Sequence, residues 1–299
     1  MITPLDDRRL PLILDGGMGR ELRMRGVEIL DTIWSANGLI MAPDVVRDVH
    51  GDYIDAGAHI ITTNSYGIIL QELDKEGIAD RYDELNRLAG RLAVDARDRS
   101  GKDVLIAGSL PPLRGSYRPD LVDPYDIIEP EYARQVALLA PYVDLFICET
   151  IASGAEGYAA AHAAVASGKP VWVSWTLHED RTGRLRSDET IADAAAAVVG
   201  LPISGMLANC CAPESISAAM EHLVATGYRY VGGYANTFVS VSPTWTLDGA
   251  AEDDGLIALR DDLSPERYAT YAADWFAHGA TVVGGCCGTR PAHIGRIAG

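Results

Sequence analysis

Several things this chain has little of narrow what it can do. Nowhere does it carry the ~18 uninterrupted apolar residues that span a bilayer as a helix. The alanine-rich stretch 192–212 comes closest, but Asp193, Pro202 and Asn209 interrupt it, and it reads as a buried helix followed by a strand. No basic segment with an apolar core and cleavage site opens the sequence, because Asp6, Asp7, Arg8 and Arg9 lie where that core belongs. The cytoplasm is the expected compartment, and no membrane is expected as partner. Positive charge is scarce as well: 25 Lys and Arg face 42 Asp and Glu, for a net charge of −17. Nucleic acid is therefore excluded as a partner, since binding a phosphate backbone depends on cationic side chains. The acidic excess could draw in a cationic substrate through the long-range field, although most of it reads as solvated surface. Cysteine is sparse and oddly placed, with five residues at 148, 210, 211, 286 and 287. An odd, clustered set without a secretory signal fits reduced thiols and metal binding better than a disulfide framework.

What is present is the composition of a globular protein, 299 residues with 48% hydrophobic and 22% charged. Short β-rich runs alternate with helical patterns along the whole length. The runs are 10–14, 59–63, 104–108, 144–148, 171–176, 205–208, 228–232 and 280–284. Helix-compatible spacing occupies 42–56, 80–99, 131–140, 154–167, 190–199, 215–226 and 265–278, with start signals at Pro43-Asp44, Ser215 and Ser264-Pro265. Strand then helix, repeated eight times in this length, predicts an α/β fold, a single (β/α)8 TIM barrel. A doubly wound nucleotide-binding sheet would need G-x-G-x-x-G after its first strand, which Asp15-Gly16-Gly17-Met18-Gly19 does not supply. The distinctive polar residues also sit at the C-terminal ends of the predicted strands: Asp15, Asn64, Glu149, Asn209, Cys210, Asn236, Cys286 and Cys287. In a barrel these ends converge on one mouth. No linker divides the chain, so residues 1–299 are expected to form one domain. The connections 110–130 and 236–263 read as loops or lids over the mouth.

The chemistry concentrates in Gly284-Gly285-Cys286-Cys287-Gly288-Thr289. Successive side chains of a strand point to opposite faces, so adjacent cysteines share one ion only if the backbone bends, which the flanking glycines permit. Cys210, in Asn209-Cys210-Cys211, is the natural third thiolate, and three sulfurs leave one tetrahedral position open for a reacting ligand.

Taken in order, the motifs resemble the homocysteine S-methyltransferases, a zinc-dependent barrel family. They are Leu14-Asp15-Gly16-Gly17-Met18-Gly19-Arg20-Glu21-Leu22, Trp34-Ser35, Thr62-Thr63-Asn64-Ser65-Tyr66, Cys148-Glu149-Thr150, Asn209-Cys210, and Gly284 to Ile294 with its Cys286-Cys287 pair. The resemblance implies that Cys210, Cys286 and Cys287 hold Zn²⁺, that the homocysteine thiolate is the fourth ligand, and that a methyl group passes directly to that sulfur to give methionine. It further implies that Asp15 and Glu149 engage the substrate ammonium. Backbone N–H groups near Gly16, Gly17 and Ser65 could receive its carboxylate, and Asn209 could orient Cys210 or bond the substrate. Trp34 matches an aromatic near the methyl donor, and Tyr66, Tyr234 and Trp245 are further candidates for a cage around a cation. Cys148 and Cys211 are read as structural, and His293 is the one histidine considered as a fourth ligand.

The partners implied are homocysteine and a small methyl donor. Betaine users of the family carry an aromatic directly after the position of Glu149, where this chain has Thr150, and the chain shows no folate or cobalamin module. A sulfonium donor is favoured, S-methylmethionine first and S-adenosylmethionine next, with betaine or methylfolate as alternatives and a selenol as an alternative acceptor. A reading of another class is a non-catalytic zinc or thiol-binding barrel, which calls for a fourth protein ligand. The outer helices could pair into a homo-oligomer or stand alone.

Overall fold

The structure, a computed structural model, describes residues 4–30, 32–241 and 257–299. Trp245 and residues 242–256 of the second long loop lie outside the described residues. The first half runs β1 (Leu12–Ile13), α1 (Met18–Met24), α2 (Asn37–Met41), α3 (Pro43–Asp55), β2 (Ile60–Thr62), α4 (Leu70–Lys75), α5 (Tyr82–Ser100), β3 (Leu105–Leu110), α6 (Tyr125–Leu139) and β4 (Leu145–Ile151). The second half runs α7 (Gly154–Val165), β5 (Val171–Trp175), α8 (Ile191–Ala197), β6 (Gly205–Asn209), α9 (Pro213–Ala225), β7 (Tyr230–Ala235), α10 (Pro265–Ala277), β8 (Val282–Gly285) and α11 (Pro291–Ala298). All eight strands are parallel, in the order β1-β8-β7-β6-β5-β4-β3-β2. The ring closes where Leu14 bridges Ile60, with the Asp15 N–H donating to the Ile60 carbonyl at 3.0 Å and the His59 N–H to that of Ile13 at 2.8 Å. The (β/α)8 barrel expected from the alternation of patterns is the fold observed.

Two apolar layers form because side chains alternate along each strand. Leu105 and Ala107 of β3, Leu145 and Ile147 of β4, and Trp172 of β5 fill the barrel, and Trp172 packs on Tyr230 at 5.0 Å between ring centroids. Ile106, Phe146 and Val173 point the other way, into the layer shared with the helices. Cys148 and Cys211 are fully buried in that outer layer, and burial in apolar surroundings pushes both thiols up. Both lie away from the cavity, among apolar side chains.

Helix starts follow local chemistry. Ser264 caps α10, its hydroxyl accepting the Arg267 N–H at 3.3 Å, and Thr190 with Asp193 makes a reciprocal capping box at α8. Two expectations need correction. Ser215 does not start α9: the chain enters the helix at Pro213, and the Ser215 hydroxyl donates to the His178 carbonyl at 2.8 Å. The helix expected over 131–140 instead begins at Tyr125 and contains Pro130. Proline leaves the carbonyl four residues earlier without its helical donor. Here that carbonyl belongs to Asp126, which is exposed along with Pro130, so water can serve it. The first long loop is correspondingly shorter and is pinned by Arg114, which pairs with Asp123 at 2.5 Å and Glu131 at 2.7 Å.

Candidate metal and substrate site

The C-terminal ends of the strands enclose a cavity of about 1080 Å³ including its opening. Asp15, Gly16, Gly17, Trp34, Asn64, Tyr66, Glu149, Cys210, Cys286 and Cys287, all singled out from the sequence, line it. Ser65, Asn209 and Asn236 do not.

Its floor on one side is sulfur. The Sγ atoms of Cys210, Cys286 and Cys287 lie within 4.8 Å of one another, with Cys210 and Cys287 3.7 Å apart. Sulfurs about 2.3 Å from a tetrahedral ion sit about 3.8 Å from each other, so the donor set and its spacing fit a thiolate-bound metal. The adjacent cysteines share the site because the backbone turns directly after β8. Gly288 takes a φ of 78°, and the Cys286 carbonyl accepts the Thr289 N–H at 3.1 Å and the Thr289 hydroxyl at 2.7 Å. Gly17 presses on this turn. A Cβ there would lie 2.8 Å from the Cys286 carbonyl oxygen, so only glycine lets the two loops meet.

Cys210 reaches the cavity by a different route. Alternation along β6 puts Leu207 inward and Ala208 outward, which would aim Cys211, not Cys210, at the mouth. Cys210 instead adopts a left-handed φ of 52°, which swings its own side chain inward and sends Cys211 to the outer layer. Trp34, Tyr117 and Thr150 are also left-handed at φ 49°, 67° and 62°, and all four line the cavity. Such conformations are costly for residues with a Cβ and cluster where surrounding structure enforces a functional geometry.

Two carboxylates line the same cavity. Asp15 accepts the Thr62 N–H at 2.7 Å and the Thr62 hydroxyl at 2.9 Å. Glu149 accepts from the Ser109 hydroxyl and, at 3.2 Å, from that of Tyr234. Burial pushes both up to about 7, against the lowering effect of those hydrogen bonds. They are thus poised to gain charge when a cation enters between them. Glu149 stands beside a break in strand register, where Asn209 clasps Thr150 through its backbone N–H at 2.8 Å and its hydroxyl at 2.9 Å. The Asn209 amide also approaches Cys286 Sγ at 3.9 Å. Asn209 thus ties the Thr150 backbone to the wall that carries Cys286.

Ser65 lies behind the cavity lining. A tight turn commits its N–H to the Thr63 carbonyl at 2.8 Å, and its hydroxyl donates to the Ser109 backbone carbonyl at 2.8 Å. The Gly17 N–H is taken by the Thr289 hydroxyl at 3.3 Å. Tyr234 lines the cavity but spends its hydroxyl on Glu149, which moves it from the donor side to the carboxylate side. Trp34 lies against Gly19, where a Cβ would come 2.8 Å from the indole Nε1. The Tyr66 hydroxyl meets that of Ser116 at 2.6 Å. His293 is no ligand: its Nδ1 accepts the Arg290 N–H at 3.1 Å and its Nε2 faces the Leu263 carbonyl at 3.3 Å. Among the described residues, the three cysteines have no fourth His, Cys, Asp or Glu beside them.

The residue that sequence reasoning missed is Tyr117, whose hydroxyl lies 3.0 Å from Cys210 Sγ. It sits in the loop after β3 with Ser116, and no spacing or composition marks it. Phe238 and Ile257, the described edges of the second loop, complete the wall on that side.

A family model for homocysteine S-methyltransferase matches residues 12–299. The chain is 30% identical to the homocysteine S-methyltransferase of Escherichia coli, covering 99% of this chain and 97% of that protein. It is 29% identical to a selenocysteine methyltransferase of Astragalus bisulcatus, with 93% and 89% covered. Among solved structures, the metallated form of the Escherichia coli homocysteine methyltransferase MmuM superposes with a TM-score of 0.80 at 29% identity, over 98% of this chain and 97% of that one.

Proposed function

The chain belongs to the homocysteine S-methyltransferase family, and on that premise we propose that it transfers a methyl group from a sulfonium donor, S-methylmethionine first, to the thiolate of homocysteine, with zinc held by Cys210, Cys286 and Cys287. The observation that carries this reading is the convergence, in one cavity, of three sulfurs within 4.8 Å and two buried carboxylates. The donor set suits Zn²⁺, which when bound would keep a substrate thiol deprotonated at neutral pH, where a free thiol of pKa about 8.5 is only a few per cent ionised.

The remaining work falls to side chains. Asp15 and Glu149 grip the ammonium of homocysteine, and that cation draws both carboxyls toward their charged forms. With the amino-acid end fixed there, the substrate sulfur is directed to the cysteine side of the cavity. Trp34 and Tyr66 offer aromatic faces to the positive sulfur of the donor. Transfer then needs the acceptor sulfur about 3 to 3.5 Å from the methyl carbon and in line with the leaving thioether, so alignment supplies much of the rate. The S–CH₃ bond of the donor breaks as the new S–CH₃ bond forms, and the donor leaves as a neutral thioether.

Betaine fits less well, because Thr150 is buried and clasped by Asn209 where an aromatic would be needed. A selenol acceptor stays within reach of the same donor set, and the likeness to a selenocysteine methyltransferase favours testing it. The whole chain acts as one catalytic domain in this reading, and its thiols call for a reducing compartment such as the cytoplasm. Among the described residues no helix is long and apolar enough to cross a membrane.

The test offers homocysteine to the zinc-loaded protein with S-methylmethionine, S-adenosylmethionine, betaine and methyltetrahydrofolate in separate reactions and measures methionine. Turnover with S-methylmethionine is expected. Silence with all four donors, in protein retaining stoichiometric zinc, would sink the reading.

A further inference from the structure

A chain of contacts runs from Cys210 out of the cavity through Tyr117. Tyr117 is 4% exposed and held at a left-handed φ of 67°, with its hydroxyl 3.0 Å from Cys210 Sγ. The guanidinium of Arg186 lies over the Tyr117 ring, 5.0 Å from its centroid. The Arg186 side chain is only 2% exposed and pairs with Glu179 at 3.3 Å. The other Glu179 oxygen accepts the Ala212 N–H at 3.0 Å, two residues beyond Cys210. The chain therefore closes on itself: Cys210, Tyr117, Arg186, Glu179 and the backbone that carries Cys210.

A sulfur that holds a metal has no proton to give, so in the loaded site the Tyr117 hydroxyl is the donor and the sulfur the acceptor. Four thiolates around a dication leave two formal negative charges to be shared among the sulfurs. A hydrogen bond to one protein sulfur draws part of that charge onto itself and off the metal. The stacked cation of Arg186 withdraws electron density from the ring and strengthens the phenol as a donor. Cys286 receives a weaker contact of the same kind from the Asn209 amide at 3.9 Å. A metal so depleted would be the stronger acid toward the fourth sulfur, and would hold a substrate thiol in its ionised form.

We propose that Tyr117, backed by Arg186, is a positioning residue for substrate-thiol binding: its hydroxyl fixes the Cys210 sulfur and lowers that ligand's donor strength, which would leave the metal acidic enough to take homocysteine as its thiolate. This rests on the metal reading of the three cysteines. It differs from a packing role, because the ring alone would serve for packing.

Cobalt(II) loaded in place of zinc reports on it directly, since its thiolate-to-metal charge-transfer absorption moves to lower energy when a sulfur loses a hydrogen bond. Tyr117→Phe keeps the ring under Arg186 and removes only the hydroxyl. We expect its band to shift to lower energy, with KM for homocysteine up about tenfold at pH 7 (~1.4 kcal/mol) and kcat within about twofold of the parent. Arg186→Lys, with weaker stacking, should shift the band the same way by less, and it serves if the first variant does not fold. Tyr66→Phe is the control, because its hydroxyl goes to Ser116 at 2.6 Å and its loss should leave the band in place. Spectra of both Tyr117→Phe and Arg186→Lys that superimpose on the parent overturn the proposal, as does an equal shift in Tyr66→Phe. Parent protein that takes up no cobalt overturns the metal reading itself and this proposal with it, a result distinct from a metal-loaded protein with unshifted variants.

Discussion

Asn209 and Thr150 lock two strand ends together: the Asn209 side-chain oxygen accepts the Thr150 N–H at 2.8 Å while its amide nitrogen donates to the Thr150 hydroxyl at 2.9 Å. Both residues are buried, and Thr150 is held at a φ of 62° that its side chain disfavours. The clasp fixes the backbone on which Glu149 faces the cavity. Asn209→Ala removes both bonds and leaves buried polar groups unpaired, which costs about 2 to 4 kcal/mol. We expect a lower urea midpoint and at least ~10-fold loss in kcat/KM for homocysteine, by misplacement of Glu149. A variant that unfolds at the parent midpoint with undiminished activity would show that the clasp is dispensable.

The two buried carboxylates carry a charge-specific prediction. Glu149→Gln keeps an acceptor but loses the charge that would face an ammonium, so KM for homocysteine should rise ~10- to 100-fold, as charge-assisted hydrogen bonds of about 1.5–3 kcal/mol imply. An acceptor lacking the amino group, 4-mercaptobutyrate, should be used about equally by parent and variant. Equal penalties on both acceptors would mean that Glu149 does not read the ammonium.

How far the fold was legible depends on which signals have a period. The eight strands were, because short β-rich runs, each ending in small or polar residues as Leu145 to Glu149 does, are separated by helical patterns. The start of α6 was not, because Pro130 reads as a breaker whereas an exposed helix face tolerates it. The Cys286–Cys287 pair was legible from its glycine-rich setting, and Cys210 from its place after Asn209 at a predicted strand end. Left-handed residues with side chains were not: Cys210, Thr150, Tyr117 and Trp34 take their conformations from the assembled barrel, and nothing in local composition announces them. That is why Tyr117 was missed and why Ser65, in the same motif as Asn64, was expected at a cavity it does not reach.

Acid should weaken substrate capture through the same carboxylates. Asp15 and Glu149 both titrate near 7 in the free protein because burial disfavours their charged forms. Below that pH each is neutral, and an ammonium finds no counter-charge. kcat/KM for homocysteine, which reports the free enzyme, should fall as pH drops from 8 to 6, with a slope approaching two protons, while kcat at saturating substrate changes less. The stability effect has the opposite sign. A carboxyl raised above its unfolded value favours the fold at low pH, and that benefit is lost as pH rises through about 7, so Glu149→Gln should be about 1–3 kcal/mol more stable than the parent at pH 8. A flat kcat/KM profile over this window would refute the assignment.

His50 supplies a second pH dependence, far from the chemistry. It is fully buried on α3, and neither ring nitrogen meets a hydrogen-bond partner among the described residues. Burial holds its pKa down at about 4, against an ordinary value of 6.5. The neutral ring is compatible with the fold, so its contribution is present above pH 6.5 and lost as pH falls toward 4, by about 3 kcal/mol in all. His50→Leu should raise the urea midpoint at neutral pH, where two unpaired polar atoms disappear, and flatten the loss of stability between pH 6.5 and 4.5. Parallel acid profiles for parent and variant would place the acid sensitivity elsewhere.

Cys210 and Cys211 offer the sharpest contrast in the molecule, since they are adjacent thiols with opposite environments. The left-handed turn at Cys210 aims its sulfur at Cys287, 3.7 Å away, while Cys211 is buried among the apolar side chains outside the barrel. Cys210→Ser replaces a strong metal ligand with a hydroxyl that is neutral at pH 7, so bound metal should fall well below stoichiometric and methyl transfer should be abolished. The barrel should still fold, because the eight strands and both apolar layers do not depend on the site. Cys211→Ser should retain full metal and most of the activity but lose about 1–3 kcal/mol of stability, as a hydroxyl is buried among apolar groups. Metal content by elemental analysis, read beside urea unfolding, separates the outcomes. Metal lost from Cys211→Ser and kept by Cys210→Ser would show that the turn runs the other way, and loss of the fold in Cys210→Ser would make the metal structural.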